Sequence, residues 1–149
     1  KAAQYYRLAT LMEPDWIPAM VAQVRRQLWF RWHDAGDIQS AKHLTNIFEV
    51  CKLTPATSHW LPTREARFLK LMDPAIVPAN LVIRMSSHMI DQGPVKSWPW
   101  TSTVQSPGAM RSNHVQDSRQ CPAQDQGNQC GSCRSCWSRE VPNVTYPKH

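Results

Sequence analysis

Apolar positions recur at helical spacing from the start of the chain. Tyr5, Leu8, Ala9 and Met12 share one face, and after the break at Glu13-Pro14 the spacing resumes with Ile17, Met20, Val21 and Val24. Two amphipathic helices are predicted. Asp15 is placed to cap the second, and Pro18 falls in its first turn, where the lost N–H has no partner anyway. From Leu28 to His33 the pattern shortens to an aromatic-rich run, LWFRWH, which ends in the turn-forming stretch Asp34-Ala35-Gly36-Asp37 and reads as a strand. A further helix follows with Leu44, Ile47, Phe48 and Cys51 on its buried face, stopped by Thr54-Pro55. Thr57 to Leu61 reads as the next strand, Pro62-Thr63 turns the chain into a short helix near Arg64 to Met72, and Asn80 to Ser86 is the third strand. A weaker strand is expected at Thr101 to Val104.

Successive strands start 29, 23 and 21 residues apart, with helical patterns between the first three, which is the βα repeat of a parallel sheet. The fold class expected is α/β: a partial, truncated parallel βα barrel or open sheet with a C-terminal cysteine-rich metal-binding tail. A full eight-unit barrel takes about 250 residues, so three or four strands are anticipated here. The chain divides into an α/β core over 1–104, a polar loop over 105–120 and the tail over 121–149. A helical pattern that begins at once, without an initiator methionine, suggests a fragment preceded by further sequence. No internal repeat or low-complexity tract interrupts this plan.

The strongest chemical signal lies in the tail. Cys121, Cys130, Cys133 and Cys136 are spaced C-x8-C-x2-C-x2-C, which puts three thiolates on one tight turn, as for adjacent corners of a [4Fe-4S] cubane. Structural zinc more often takes two separated C-x2-C pairs, so it is the alternative, and free or disulfide-paired cysteines are the plain reading. Cys51, on a buried helical face, reads as a small core residue.

Strand geometry draws a second group together. Alternate residues of a strand share a face, so Arg31 and His33 are expected to point together, as are Arg84 and Ser86. Both pairs lie toward the C-terminal ends of their strands, the edge where parallel α/β folds bind ligands and where loops add Asp34, Asp37, Arg64, Glu65, Ser87 and His88. His33, Asp34, Asp37, Arg64 and Glu65 are the candidate catalytic residues, and Arg31, Arg84, Ser86 and Ser87 the candidate substrate-binding ones. His33, Asp34, Asp37, Arg64 and Arg84 are expected in one pocket with the tail across its mouth. The structural alternatives are a helix cap for Asp37, ion pairs with Asp34 or Glu65 for the two arginines, and core or lid packing for Trp98 and Trp100 rather than a base-stacking platform.

Charge adds little. Lys plus Arg outnumber Asp plus Glu by 17 to 11, a formal +6 that permits a nucleic-acid partner without requiring one. No apolar run reaches the roughly 18 residues of a membrane span and no secretory leader is recognisable, so a cytoplasmic protein without membrane contact is the default expectation.

The segments RWHDAGDIQSAKHL, HWLPTRE, NLVIRMSSHMID and CGSCRSCW with VTYPKH together resemble the gene product 88 family of phages and plasmids, over essentially the whole chain. Members of that family begin with a further segment rich in Cys-Pro-Gly and Cys-Tyr-Ala motifs, which nothing here matches. The resemblance implies an iron–sulfur α/β protein related to radical-chemistry barrels, and it brings no reaction with it. Its weight falls on Arg31, His33, Asp34, Gly36 and Asp37, on Trp60, Pro62, Thr63, Arg64 and Glu65, on Arg84, Ser86 and Ser87, and on the four tail cysteines.

Two functions from different classes are expected to compete. One is an iron–sulfur-binding protein of mobile elements, in its catalytic version a metalloenzyme acting on a polar or phosphorylated, nucleic-acid-related substrate. The other is a nucleic-acid-binding module in which a structural zinc or cluster fixes the tail and Arg111, Arg119, Arg134 and Arg139 contact phosphates. Whether the protein is an enzyme, and its oligomeric state, do not follow from these residues.

Overall fold

The computed structural model describes residues 2–33, 36–107 and 118–148. Two short helices, α1 (Ala2–Thr10) and α2 (Trp16–Val24), lead into β1 (Trp29–Arg31), α3 (Ala41–Leu53), β2 (Ser58–Thr63), β3 (Leu81–Ser86), β4 (Thr101–Gln105), β5 (Ser118–Gln120) and β6 (Asn143–Pro147). Every strand pairing is parallel, and the six strands form one curled open sheet, a half-barrel, in the order β1-β2-β3-β4-β6-β5.

The βα repeat holds, with corrections. Six strands replace the three or four anticipated. The segment read as a loop ends in β5, and the tail supplies β6, which lies between β4 and β5. The short helix near Arg64 to Met72 is a single 3₁₀ turn over Ala66–Phe68. The apolar stripe of the first helix does not reach the core, for Tyr5 is 72% and Met12 76% exposed.

Pairing register sorts the side chains into two faces. Trp29 and Arg31 align with Ser58 and Trp60, Trp60 and Pro62 with Val82 and Arg84, and Ser86 with Ser102 and so with Val144. These share one face. Phe30, His59, Leu61, Leu81, Ile83 and Met85 share the other, where they join Ile38, Leu44, Ile47, Phe48, Val50 and Cys51 in the main core against α3. Ser40 caps α3 by accepting the His43 N–H at 3.0 Å.

Strand order explains what covers the first face. From β1 to β4 each strand lies beyond the last, and the first crossover, through α3, covers the helical face. The step from β5 to β6 runs back toward β4, and a right-handed connection that reverses direction must cross the opposite face. The 3₁₀ turn Ser135–Trp137 in this connection does pack there. Cys136 contacts Trp60 and Val144 in a second cluster, flanked by Cys121, Trp137, Val141 and Tyr146. Among the described residues, no helix is long and apolar enough to cross a membrane.

Candidate functional site

The chain leaves β1 through an abrupt turn. His33 adopts φ 53°, a left-handed conformation uncommon away from glycine, and Gly36 has φ 101°. That turn breaks the two-residue alternation, so the expectation that Arg31 and His33 point together is overturned. The Arg31 guanidinium lies over the Trp60 ring, 4.8 Å from its centroid, on the face away from the helices. The His33 ring instead meets His43 of α3, with centroids 5.4 Å apart.

Asp37 fastens this loop to the end of β2. Its Oδ1 accepts the Ile38 N–H at 2.7 Å and the Thr63 hydroxyl, and its Oδ2 accepts the Arg64 N–H at 2.8 Å. Arg64 therefore joins through its main chain, while its side chain belongs to an exposed residue. Glu65 is occupied separately by Arg67 at 2.9 Å. Asp34 lies outside the described residues.

Between this loop, α1, α2 and the start of α3 runs a groove of about 720 Å³, lined by Arg31, His33 and Asp37 among the anticipated residues and by Trp16, Met20, Phe30, Gln39 and His43. Burial lowers the pKa of His33, opposed by the Asp37 carboxylate and the Pro62 carbonyl. Burial, with His33 alongside, pushes His43 down to about 4. His43 Nδ1 accepts the Gln39 N–H at 3.3 Å, which leaves the proton of the neutral ring on Nε2. Neither ring nitrogen of His33 makes a hydrogen bond, and both are buried.

Arg84 belongs elsewhere. It sits on the face opposite the helices, fully buried, and donates to five main-chain carbonyls: Nε to Cys136 at 3.0 Å, Nη1 to Thr101 at 3.2 Å, and Nη2 to Ser135, Ser138 and Val141 at 2.6, 2.9 and 3.0 Å. Four of those carbonyls come from the β5–β6 connection, so Arg84 holds the cysteine segment to the sheet. No carboxylate forms an ion pair with it among the described residues. Ser86 pairs with Ser102 at 3.0 Å, Ser87 donates to the Gly93 carbonyl at 2.8 Å, and His88 is exposed. The single pocket expected for His33, Asp37, Arg64 and Arg84 is thus two separate places, on opposite faces of the sheet.

The cysteines sit on the Arg84 side. Cys121 directly follows β5 and its N–H donates to the Thr145 carbonyl at 2.8 Å. Left-handed glycines at Gly127 (φ 63°) and Gly131 (φ 53°) bend the connection, and a Cβ on Gly131 would come within 2.7 Å of Gln126 Oε1. Cys136 is buried with its Sγ 3.1 Å from the Tyr146 hydroxyl. Burial pushes the Cys136 thiol up to about 11, although Tyr146 and Arg84 oppose this, and Cys121 and Cys130 raise it further. Cys121 is raised by burial and by Cys130 and Cys133. Against its partial burial, Cys133 is carried below the usual thiol value by the Ser135 hydroxyl and N–H and by the Arg119 and Arg134 guanidinium groups. Cys121 is thus within electrostatic reach of the other three thiols, and Cys130 of Cys136. They do not converge to bonding distance, since no group of three His, Cys, Asp or Glu side chains among the described residues is arranged to hold a metal ion.

Among the described arginines proposed for phosphate contact, Arg119 is exposed, whereas Arg134 and Arg139 are engaged by main-chain carbonyls. Arg139 donates to the carbonyls of Val77, Pro78 and Leu81 and lies over Trp100, while Arg134 donates to those of Gly131 and Cys133 and lies over Trp29. Arg111 falls outside the described residues. Trp98 and Trp100 are buried, their indole N–H groups donating to Ile83 and Arg139 carbonyls at 2.8 and 3.1 Å, which is core packing. Sequence reasoning missed His43, Trp16 and Tyr146. Periodicity places His43 on a helix without showing that a turn at His33 brings another imidazole to it.

The gene product 88 family model matches residues 1–139. No curated protein and no solved structure matches the chain.

Proposed function

This chain belongs to the gene product 88 family, and from its own residues we propose that it is an iron–sulfur protein whose [4Fe-4S] cluster is held by Cys121, Cys130, Cys133 and Cys136. The observation that carries this reading is the gathering of all four thiols in one connection, where Cys121 and Cys136 are each raised by other members of the set. The donor set suits the group: four sulfurs in a C-x8-C-x2-C-x2-C run, with a tight glycine turn between them. Two of the thiols are held protonated by burial and repulsion, so deprotonation has to accompany metal binding, as is general for thiolate sites.

The protein's own contribution is attachment and polarity. Arg84 ties the connection down through the carbonyls of Ser135, Cys136, Ser138 and Val141 and brings a buried positive charge beside a site that becomes anionic. With Cys136 as a thiolate ligand, the Tyr146 hydroxyl 3.1 Å away can only donate to its Sγ, the kind of hydrogen bond that raises a reduction potential. Bound there, a cluster would supply one-electron chemistry. Arg31, exposed at the C-terminal end of β1 on the same face, offers a cation to a polar or phosphorylated ligand.

Iron and acid-labile sulfide analysis after anaerobic preparation tests the reading. About four of each per chain, with a brown colour bleached by dithionite, are expected. One equivalent of zinc without sulfide would overturn the cluster. A zinc-loaded protein whose affinity for DNA falls steeply with salt would establish the nucleic-acid-binding module in its place.

A further inference from the structure

The groove beside β1 makes no use of the cysteine site, and its residues define a different ligand. It opens at the carboxyl end of β1, the edge where parallel α/β sheets place small molecules, and its volume of about 720 Å³ is that of an ordinary small-molecule site. Trp16, Met20 and Phe30 give it apolar walls, and the Trp16 ring stands edge-on to His43 at 5.6 Å.

Among the described residues, the two charged ones that line it are already engaged. The Asp37 carboxylate already accepts three hydrogen bonds, from Ile38, Thr63 and Arg64. The Arg31 guanidinium lies over Trp60 on the opposite face of the sheet. Both histidines are neutral at pH 7, each lowered by burial. A phosphate entering here would lose its hydration without meeting a cation.

Hydrogen-bonding capacity is present and unused. A neutral imidazole offers one donor and one acceptor; the Pro62 carbonyl acts on the His33 ring, yet neither buried ring nitrogen makes a hydrogen bond of good geometry, an exception among buried polar groups that calls for an explanation. An uncharged ring with a carbonyl beside an N–H supplies both at once and stacks against aromatic walls.

We infer that this groove binds an uncharged planar heteroaromatic ring of the nucleobase type, as the free base or nucleoside, with His33 reading its hydrogen-bonding edge. The inference is independent of the iron–sulfur reading and stands or falls without it. Titration calorimetry with adenine, guanine and uracil, their nucleosides and their 5′-monophosphates tests it directly. At least one base or nucleoside should bind saturably, its 5′-monophosphate at least tenfold more weakly. His33→Phe should weaken binding at least tenfold, and His33→Gln, which restores a donor and an acceptor, should recover part of the loss. Circular dichroism of both variants separates lost binding from lost folding. The proposal is overturned if no base or nucleoside binds at millimolar concentration, if the monophosphate or a single-stranded oligonucleotide binds more tightly than the nucleoside, or if His33→Phe, folded, binds unchanged. Equal affinity for toluene would also overturn it, because an apolar slot alone would then account for the groove.

Discussion

Buried imidazoles sit at two levels of the helical face. His59 is fully buried, its Nδ1 accepting from the Trp32 indole at 3.2 Å and its Nε2 lying 2.9 Å from the Thr54 hydroxyl, which itself donates to the Val50 carbonyl. The acceptor Nδ1 is thus satisfied only while the ring is neutral, and burial depresses His59 to about 4, as it does His43. The unfolded chain binds these protons near the ordinary value of about 6.5, so between that pH and about 4 the unfolded state carries more protons and acid favours it. Stability from these two groups is complete above about pH 6.5 and declines as pH falls toward 4. Unfolding free energies from urea titrations across that window should drop by up to about 1.4 kcal/mol per pH unit for each histidine, and His59→Gln should flatten the slope. At this scale the sequence was only partly legible. Asp37 and Thr63 are marked by their neighbours in turn-forming stretches, but nothing local announces a positive φ at His33 or the meeting of His33 with His43.

Elements with strong periodicity were read well and short polar ones were not. β1 to β4 carry aromatic and β-branched residues with helical spacing between the first strands, and each appears within a few residues of its expected place. β5 is Ser118-Arg119-Gln120, polar throughout and, among the described residues, paired only with β6, so no alternation marks it. β6 has the alternation, in Val144-Thr145-Tyr146, yet stands beside cysteines that invite a reading as a ligand loop. What joins that loop to the sheet is the Arg84 side chain. Arg84→Met keeps the volume but removes every donor, leaving buried carbonyls on two elements without partners. It is expected to cost at least about 3 kcal/mol of unfolding free energy, and limited proteolysis should cut the 121–142 connection before any other segment.

On the scale of the molecule the sheet is open. Among the described residues β1 and β5 are its two edges, and a parallel edge left uncovered is a template for pairing with another chain. Sedimentation velocity over a hundredfold concentration range should show reversible self-association. A Lys replacing Trp29, which is 41% exposed on β1, should suppress it; a monomer at every concentration would show that these edges are already protected. The parallel architecture followed from strand spacing, whereas the place of β6 depended on a pairing about forty residues distant, which no local pattern encodes.

The insertion of β6 between β4 and β5 also imposes an order on biosynthesis. Ser118–Gln120 leaves the ribosome before Asn143–Pro147, the one strand it pairs with among the described residues. Until Asn143–Pro147 has been made, β5 lacks that partner and the cysteine connection has neither end anchored. The sheet therefore closes only when synthesis of that strand is finished, by a single five-residue clasp that fixes both ends of the loop together. Any metal acquired by those cysteines at a completed site is acquired after that strand has emerged. A ribosome stalled before Asn143 would present the thiols on an unfastened strand, open to oxidation and to capture by the wrong ion.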